Sequence, residues 1–330
     1  MLNLMVLGKT GAGKSTLINA MFNFDEAKTG DGKPIDKVFT KREKKNYSFT
    51  VFDSPGFELK EAQQKEVIKN AKEIIQKGYQ SNDINKQIHT ILYCINTGGN
   101  KIEDNEIEFI KELTDLSNEY QIPVIIVLTQ SFFRNKAENF KREIEKENLN
   151  VIDIIPVLAK KMVDNGIIIE AYGLDKLLEC ISNKLPEQLQ LTLQRNQIIS
   201  LDAKIKAAKK IVDNAALTIK ISSTILPTGI DAAFLSGTEI VMLTKITYLF
   251  HPNMNKEIMM LILKTLSKGN FPMFFKFIPV AEKFYSLYSH GYSLNNLKND
   301  FLKLSNELFD GKYSFYTLKN IFGKVSNVNI

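Results

Sequence analysis

MLNLMVLGKTGAGKST, residues 1–16, decides the fold. Leu2, Leu4, Met5, Val6 and Leu7 form a short apolar run, the pattern of a strand buried on both faces in a parallel sheet. The run breaks at Gly8. Gly8-Lys9-Thr10-Gly11-Ala12-Gly13-Lys14-Ser15 then fits G-x-x-x-x-G-K-[ST] without a mismatch. Leu17, Ile18, Ala20 and Met21 follow at helical spacing, so the motif lies between a strand and a helix. That context makes it a phosphate-binding loop. Its glycines let the backbone curl until several N–H groups face one point, and the helix N-terminus adds positive potential there. Gly8, Thr10, Gly11, Ala12, Gly13 and Thr16 would surround the phosphates. Lys14 would bring a point charge to the β- and γ-phosphates, and Ser15 a hydroxyl for Mg²⁺.

The chain has 330 residues, enough for two domains, and 44% of them are hydrophobic, which excludes global disorder. Cys94 and Cys180 lie far apart, in an apolar strand and on an apolar helix face. They read as core residues, and a reducing cytoplasm is the simplest compartment. The apolar start is too short and lacks the basic flank of a signal peptide. No run of eighteen apolar residues is free of charge, so a simple membrane span is not expected. Charge is uneven: residues 1–186 carry 26 Lys and Arg against 27 Asp and Glu, and residues 187–330 carry 17 against 10. The basic second half suits either a solvated surface or an acidic partner such as lipid headgroups or RNA.

Residues 1–185 alternate strands and helices. The pattern predicts strands over 2–7, 38–45, 48–53, 88–95, 123–129 and 151–158, and helices over 14–22, 59–78, 104–119, 134–147 and 173–184. This is an α/β fold with a mostly parallel six-stranded sheet, whose ligands gather at the carboxyl ends of the strands. Lys41-Arg42-Glu43-Lys44-Lys45 suits an edge hairpin, where charge discourages aggregation. His89, at a strand start, reads as a core or strand-end residue. Glu103, Asp104, Glu106 and Glu108 crowd a helix start, where acids suit the dipole, and carry no assigned chemistry.

Asp53-Ser54-Pro55-Gly56 ends the strand 48–53. Asp53 there can hold Mg²⁺ through water, and Gly56 can bring its N–H to the γ-phosphate. Together GKTGAGKST and DSPG resemble the translation-factor-related class of P-loop GTPases. GKTGAGKSTLINA is similar to Era-like bacterial GTPases and to immunity-related GTPases. Ile88–Ile95 resembles that family's fourth strand, and Leu158-Ala159-Lys160 its S-A-K loop. The resemblance spans 1–185 and implies GTP and GDP as ligands, Mg²⁺ as cofactor, and hydrolysis as the reaction. Lys14, Asp53 and Gly56 would be its catalytic residues and Ser15 and Asp53 its metal residues. Thr129, Gln130, Ala159 and Lys160 would line the base.

The chain departs from that family at three places. Thr129-Gln130-Ser131-Phe132 stands where the base-reading [NT]-K-x-D is expected, so Phe132 replaces an aspartate that accepts two guanine hydrogen bonds. Losing that contact should weaken guanine discrimination. Asp36 stands near the position of a Mg²⁺-binding threonine, with Thr29 and Thr40 as neighbouring alternatives. Phe57 replaces a water-orienting glutamine, which implies slow hydrolysis without an activating partner. Gly11 stands where potassium-activated relatives carry asparagine, so no potassium activation is expected.

Pro186 marks the expected boundary between a nucleotide domain, 1–186, and an all-α domain, 187–330. Residues 188–220 read as one long basic amphipathic helix, with Leu201, Ile205, Ala208, Val212, Ala215 and Ile219 on one face. A Pro-x-Gly-x-Asp turn over 227–231 and apolar stretches over 232–250 and 257–288 follow. This order is similar to a bacterial helical module of unknown function found behind Era-like GTPases. The expected protein is a nucleotide switch acting through its helical half. Candidate partners are a nucleotide-dependent second copy, an anionic membrane surface, and RNA or the ribosome. The expected location is cytoplasmic, with peripheral membrane contact as the alternative.

Overall fold

The computed structural model divides the chain into two units, Met1–Ile199 and Ser200–Ile330. It describes residues 1–24, 39–44, 48–57, 61–99, 102–164 and 167–200, and beyond these only 202–204, 206–208, 210–211, 214, 245 and 249. The expected switch residues Thr29 and Asp36, and the apolar stretches 232–250 and 257–288 apart from residues 245 and 249, lie outside the described residues. In the second unit Ala208 and Leu249 are buried.

The first unit is built on one six-stranded sheet. Its strands are β1 (Leu2–Leu7), β2 (Thr40–Lys44), β3 (Phe49–Asp53), β4 (Thr90–Asn96), β5 (Val124–Thr129) and β6 (Asp153–Pro156), in the order β2-β3-β1-β4-β5-β6. Every neighbouring pair is parallel except β2 with β3. The charged run at 41–44 therefore forms an antiparallel edge, as its composition suggests. Helices α1 (Lys14–Phe22), α2 (Glu61–Gln80), α3 (Asp104–Glu119), α4 (Arg134–Glu145) and α5 (Leu174–Lys184) fill the connections. The expected α/β class is present, and each predicted strand and helix of 1–185 has its counterpart.

Strand periodicity of two sorts the core into layers. Met5 and Leu7 of β1, Ile91, Tyr93 and Ile95 of β4, and Val124, Ile126 and Leu128 of β5 share one cluster. Ala71 and Ile75 of α2, Phe109, Ile110 and Leu113 of α3, and Phe140 and Ile144 of α4 join it. The alternate residues point the other way. Leu2 pairs in register with Phe49, whose ring lies 4.5 Å from Phe22 of α1. Covered on both faces, β1 is wholly buried, which is why its sequence is a continuous apolar run. All five parallel strands end on the same edge of the sheet, and the loops after β1, β3 and β5 meet there.

Two features differ from the sequence expectation. The helix read over 188–220 breaks: α6 (Glu187–Asn196) stops at Gln197, whose backbone is extended at φ −74°, ψ 148°. Leu189 and Leu193 of α6 are buried, and the Ile198 N–H bonds the Met21 carbonyl. The first unit thus extends past Pro186, because α6 finds its apolar partner on this unit. The second feature is a hairpin, β7 (Met162–Asp164) with β8 (Ile167–Ile169), which the strand prediction omits. Its sequence signal is Asn165-Gly166 between apolar runs. Among the described residues no helix is long and apolar enough to cross a membrane.

His89 is structural, as expected. Its Nδ1 accepts the Asn3 N–H at 3.0 Å and its Nε2 lies 2.8 Å from the Ile84 carbonyl, which fixes the neutral tautomer. Burial pushes its pKa below the usual 6.5. Below about pH 6.5 the unfolded chain binds a proton that the folded imidazole resists. The stability contributed by His89 is therefore present above that pH and lost as pH falls toward the depressed folded value. Unfolding free energy measured by urea should decline between about pH 7 and about pH 5, with a shallower decline in His89→Gln. Equal slopes would assign the acid sensitivity to other groups.

Candidate nucleotide site

The loop between β1 and α1 is held by side chains that take its carbonyl oxygens. Lys14 Nζ donates to Gly8 O at 2.7 Å and to Lys9 O at 3.2 Å. The Thr129 hydroxyl donates to Ala12 O at 2.7 Å, and Gln130 Nε2 to Gly11 O at 2.9 Å. The Thr10 and Ala12 N–H groups bond Phe57 O and Lys9 O, and with the carbonyls turned to these donors the other loop N–H groups can face a ligand. Gly8 adopts φ 149°, and a Cβ there would lie 2.5 Å from the Cys94 carbonyl of β4, so only glycine fits. Cys94 is wholly buried with its thiol pushed up to about 12, which makes it core.

Lys14 is nearly buried, and desolvation lowers its pKa. A polyanion reaching the loop would relieve that penalty by pairing with the ammonium. Asp53, at the end of β3, is 5% exposed. Burial raises its pKa against the opposing charges of Arg42 and Lys14. Asp53 Oδ1 is buried without a hydrogen-bond partner, while Oδ2 pairs with Arg42 Nη2 at 2.7 Å. A hydroxyl at the start of α1, Ser15, and a carboxylate with an unsatisfied oxygen suit Mg²⁺, a hard cation that keeps several waters. Ser15 would ligate it and Asp53 would hold one of its waters. Arg42 Nη2 also lies 3.4 Å from Ser15 Oγ, so one guanidinium nitrogen touches both residues.

The segment after Asp53 docks on the loop. The Ser54 N–H bonds Val6 O, the Thr10 N–H bonds Phe57 O, and Lys9 bridges to Phe57. A Cβ on Gly56 would sit 2.6 Å from Thr10 Cα and Oγ1, so a side chain there would push the two segments apart. Phe57 turns inward, its ring 5.0 Å from Phe109 of α3. No polar side chain is available at position 57 to orient a water.

Three residues missed by the sequence reading join the site. Lys9 Nζ pairs with Glu106 Oε2 at 2.8 Å and Glu103 Oε2 at 3.0 Å, tying the loop to α3. Glu106 is buried, and its Oε1 accepts the Tyr93 hydroxyl at 3.1 Å. Glu106 is therefore more than a helix-dipole acid, which corrects the reading that gave it no role. Burial alone would lower the Lys9 pKa, but its hydrogen bonds and attraction to Glu106 and Glu103 outweigh this and raise it. Burial, together with the Glu106 charge, drives the Tyr93 pKa well up. Arg42 is the third: alternation along β2 turns Lys41 and Glu43 to pair with each other on one side and Arg42 to the site.

The base side is less like the sequence expectation. Thr129, read as lining the base, is buried, with its hydroxyl spent on the loop and on Ile95 O. Gln130 takes φ 53° and its amide braces Gly11. Ala159 and Lys160 follow Leu158, which pairs with Tyr172. The Tyr172 hydroxyl donates to Ser131 O at 2.8 Å, and Arg134 lies 4.1 Å above the Tyr172 ring. Phe132 is half-buried and Phe133 is 67% exposed.

Residues 3–130 match the family model described as 50S ribosome-binding GTPase. The fold of this region is that of a P-loop GTPase G domain. Among curated proteins the chain is similar to neuronal-specific septin-3 of Homo sapiens, 29% identical over 179 residues, covering 47% of this chain and 49% of the relative. Cell division control protein 10 of Saccharomyces cerevisiae is 28% identical over 178 residues, covering 45% and 54%. The chain spans about half the length of the curated relatives it matches. Among solved structures, Toc33 from Arabidopsis thaliana aligns over 59% of this chain and 86% of its own, at TM-score 0.36 and 15% identity.

Glu106→Gln keeps an acceptor for Tyr93 and removes the charge that holds Lys9. It should cost about 1–3 kcal/mol of stability, as loss of a hydrogen bond to a charged group does. Guanidinium-chloride unfolding measures it. A midpoint equal to wild type would show that Lys9 and Glu106 contribute no net stability.

Proposed function

We propose that this protein is a nucleotide-controlled switch of the Era-like or immunity-related kind. It takes a guanine nucleoside triphosphate, hydrolyses it slowly to the diphosphate and phosphate, and reports the change through the second unit, residues 200–330. The observation that carries this reading is the loop with every named brace in place. Lys14 is desolvated at its crest, and Asp53 offers an unsatisfied oxygen beside Ser15.

The roles follow from that arrangement. Lys14 would exchange the Gly8 and Lys9 carbonyls for β- and γ-phosphate oxygens, a charge-assisted contact in place of a neutral one. Ser15 and Asp53 would hold Mg²⁺, which neutralises phosphate charge when bound. The Gly56 N–H, next to Thr10, would sense the γ-phosphate and shift the segment it begins. Phe57, facing the core, leaves the attacking water without an orienting side chain, so unassisted turnover is slow. Partners fitting the basic second half are an anionic membrane surface or RNA, and a second copy fits a switch that assembles. A second reading, favoured by Phe57 and by Arg42 on the metal residues, is a nucleotide-gated binding module with little hydrolysis. Single-turnover hydrolysis with and without anionic vesicles separates the two.

Lys14→Ala should lose most affinity for GTP while the chain stays folded, because the Lys14 ammonium bonds loop carbonyls and takes no part in the apolar core. Equilibrium titration with a fluorescent GTP analogue measures this, and unchanged affinity would end the phosphate-loop reading. Phe132→Asp should sharpen GTP over ATP by about 1–3 kcal/mol, the value of a regained polar contact. Competition titrations with both nucleotides read that difference. Strict rejection of ATP by wild type would mean that another group reads the base.

A further inference from the structure

We propose that Arg42 is a built-in cation of the nucleotide site, which lets the diphosphate bind without Mg²⁺ and sets a barrier to metal loading. The inference rests on the reading of the site as a G-domain nucleotide site. Its observation is the placement of one nitrogen, Arg42 Nη2, at 2.7 Å from Asp53 Oδ2 and 3.4 Å from Ser15 Oγ. Those are the two side chains that would hold the metal.

Three arguments support it. The first is charge: a guanidinium is permanently protonated, so the positive charge beside Asp53 does not depend on pH or on metal supply. The second is exposure: the Asp53 side chain is 7% exposed and that of Arg42 29%, so water screens the pair only in part. Mg²⁺ would have to displace a cation already seated, and two positive charges on one carboxylate oppose each other. The third is backbone: Arg42 lies mid-strand in β2, with Thr40 to Lys44 paired against β3, so its Cα is held by a ladder. A planar guanidinium is also suited to phosphate oxygens, so the group that excludes Mg²⁺ can neutralise phosphate in its place. The sheet edge would then control the metal: motion of β2 away from β3 carries Arg42 off Asp53 and opens the metal residues.

The test uses the full chain and a fluorescent GDP analogue, titrated in EDTA and in millimolar Mg²⁺. Wild-type affinity should change by less than about threefold between the two conditions, a difference under 1 kcal/mol on the usual conversion. Arg42→Met should lose about tenfold or more in EDTA and recover with Mg²⁺. Mn²⁺ bound to the GDP complex, followed by electron paramagnetic resonance, should be held about tenfold tighter in Arg42→Met than in wild type. Arg42→Lys keeps the charge without the planar fork and should fall between them, which also covers the case of a poorly folded Met variant. Equal Mg²⁺ dependence and equal Mn²⁺ affinity in wild type and both variants would overturn the inference and leave the nucleotide reading intact. Failure of wild type to bind GDP in either condition would overturn both.

Discussion

A chain can turn several N–H groups toward one anion only if the carbonyls of the same peptides have partners elsewhere. That constraint organises this G domain. The carbonyls of Gly8, Lys9, Gly11 and Ala12 accept from Lys14, Gln130 and Thr129. The donors come from the first turn of α1 and the end of β5, so the loop depends on two parallel strands ending at the same height. The sheet order supplies this: β1 lies beside β4, and β4 pairs residue for residue with β5 up to Asn96 and Thr129. An apolar β1 buried on both faces is the condition for that alignment.

Around the loop, buried charge is arranged so that each group has a specific partner. Glu106 uses one carboxylate oxygen for Lys9 and the other for Tyr93. Asp53 uses one for Arg42 and leaves the other unsatisfied. The first arrangement is closed and structural. The second is open, and an unsatisfied buried oxygen is costly unless a ligand or water completes it. The difference between the two carboxylates is a physical reason to place metal chemistry at Asp53 and not at Glu106.

The sheet, the loop and the DSPG segment were legible in the sequence because each rests on local pattern. A continuous apolar run, a fixed glycine spacing and a carboxylate at a strand end suffice. Phe57 and Phe132 were legible as departures, since aromatic side chains cannot replace polar ones. What stayed hidden depends on register between distant segments. Lys9 occupies a variable position of its motif, and its link to Glu106 spans 97 positions that only the β1–β4–α3 packing brings together. Arg42 looked like one of several edge charges, and only the alternation of β2 against β3 separates it from Lys41 and Glu43. The end of α6 was hidden for a related reason. Its apolar face continues in sequence into residues 201–219, but its partner is β1, and the chain turns at Gln197 once that partner is covered.

Amide hydrogen exchange on the full chain, with and without saturating GDP, tests the central claim most directly. The account predicts that GDP slows exchange at the amides of residues 9–16, with smaller protection at 54–57 and 129–132, and leaves the already buried strands unchanged. Protection confined to other segments, or none at residues 9–16 under conditions where GDP is bound, would contradict it.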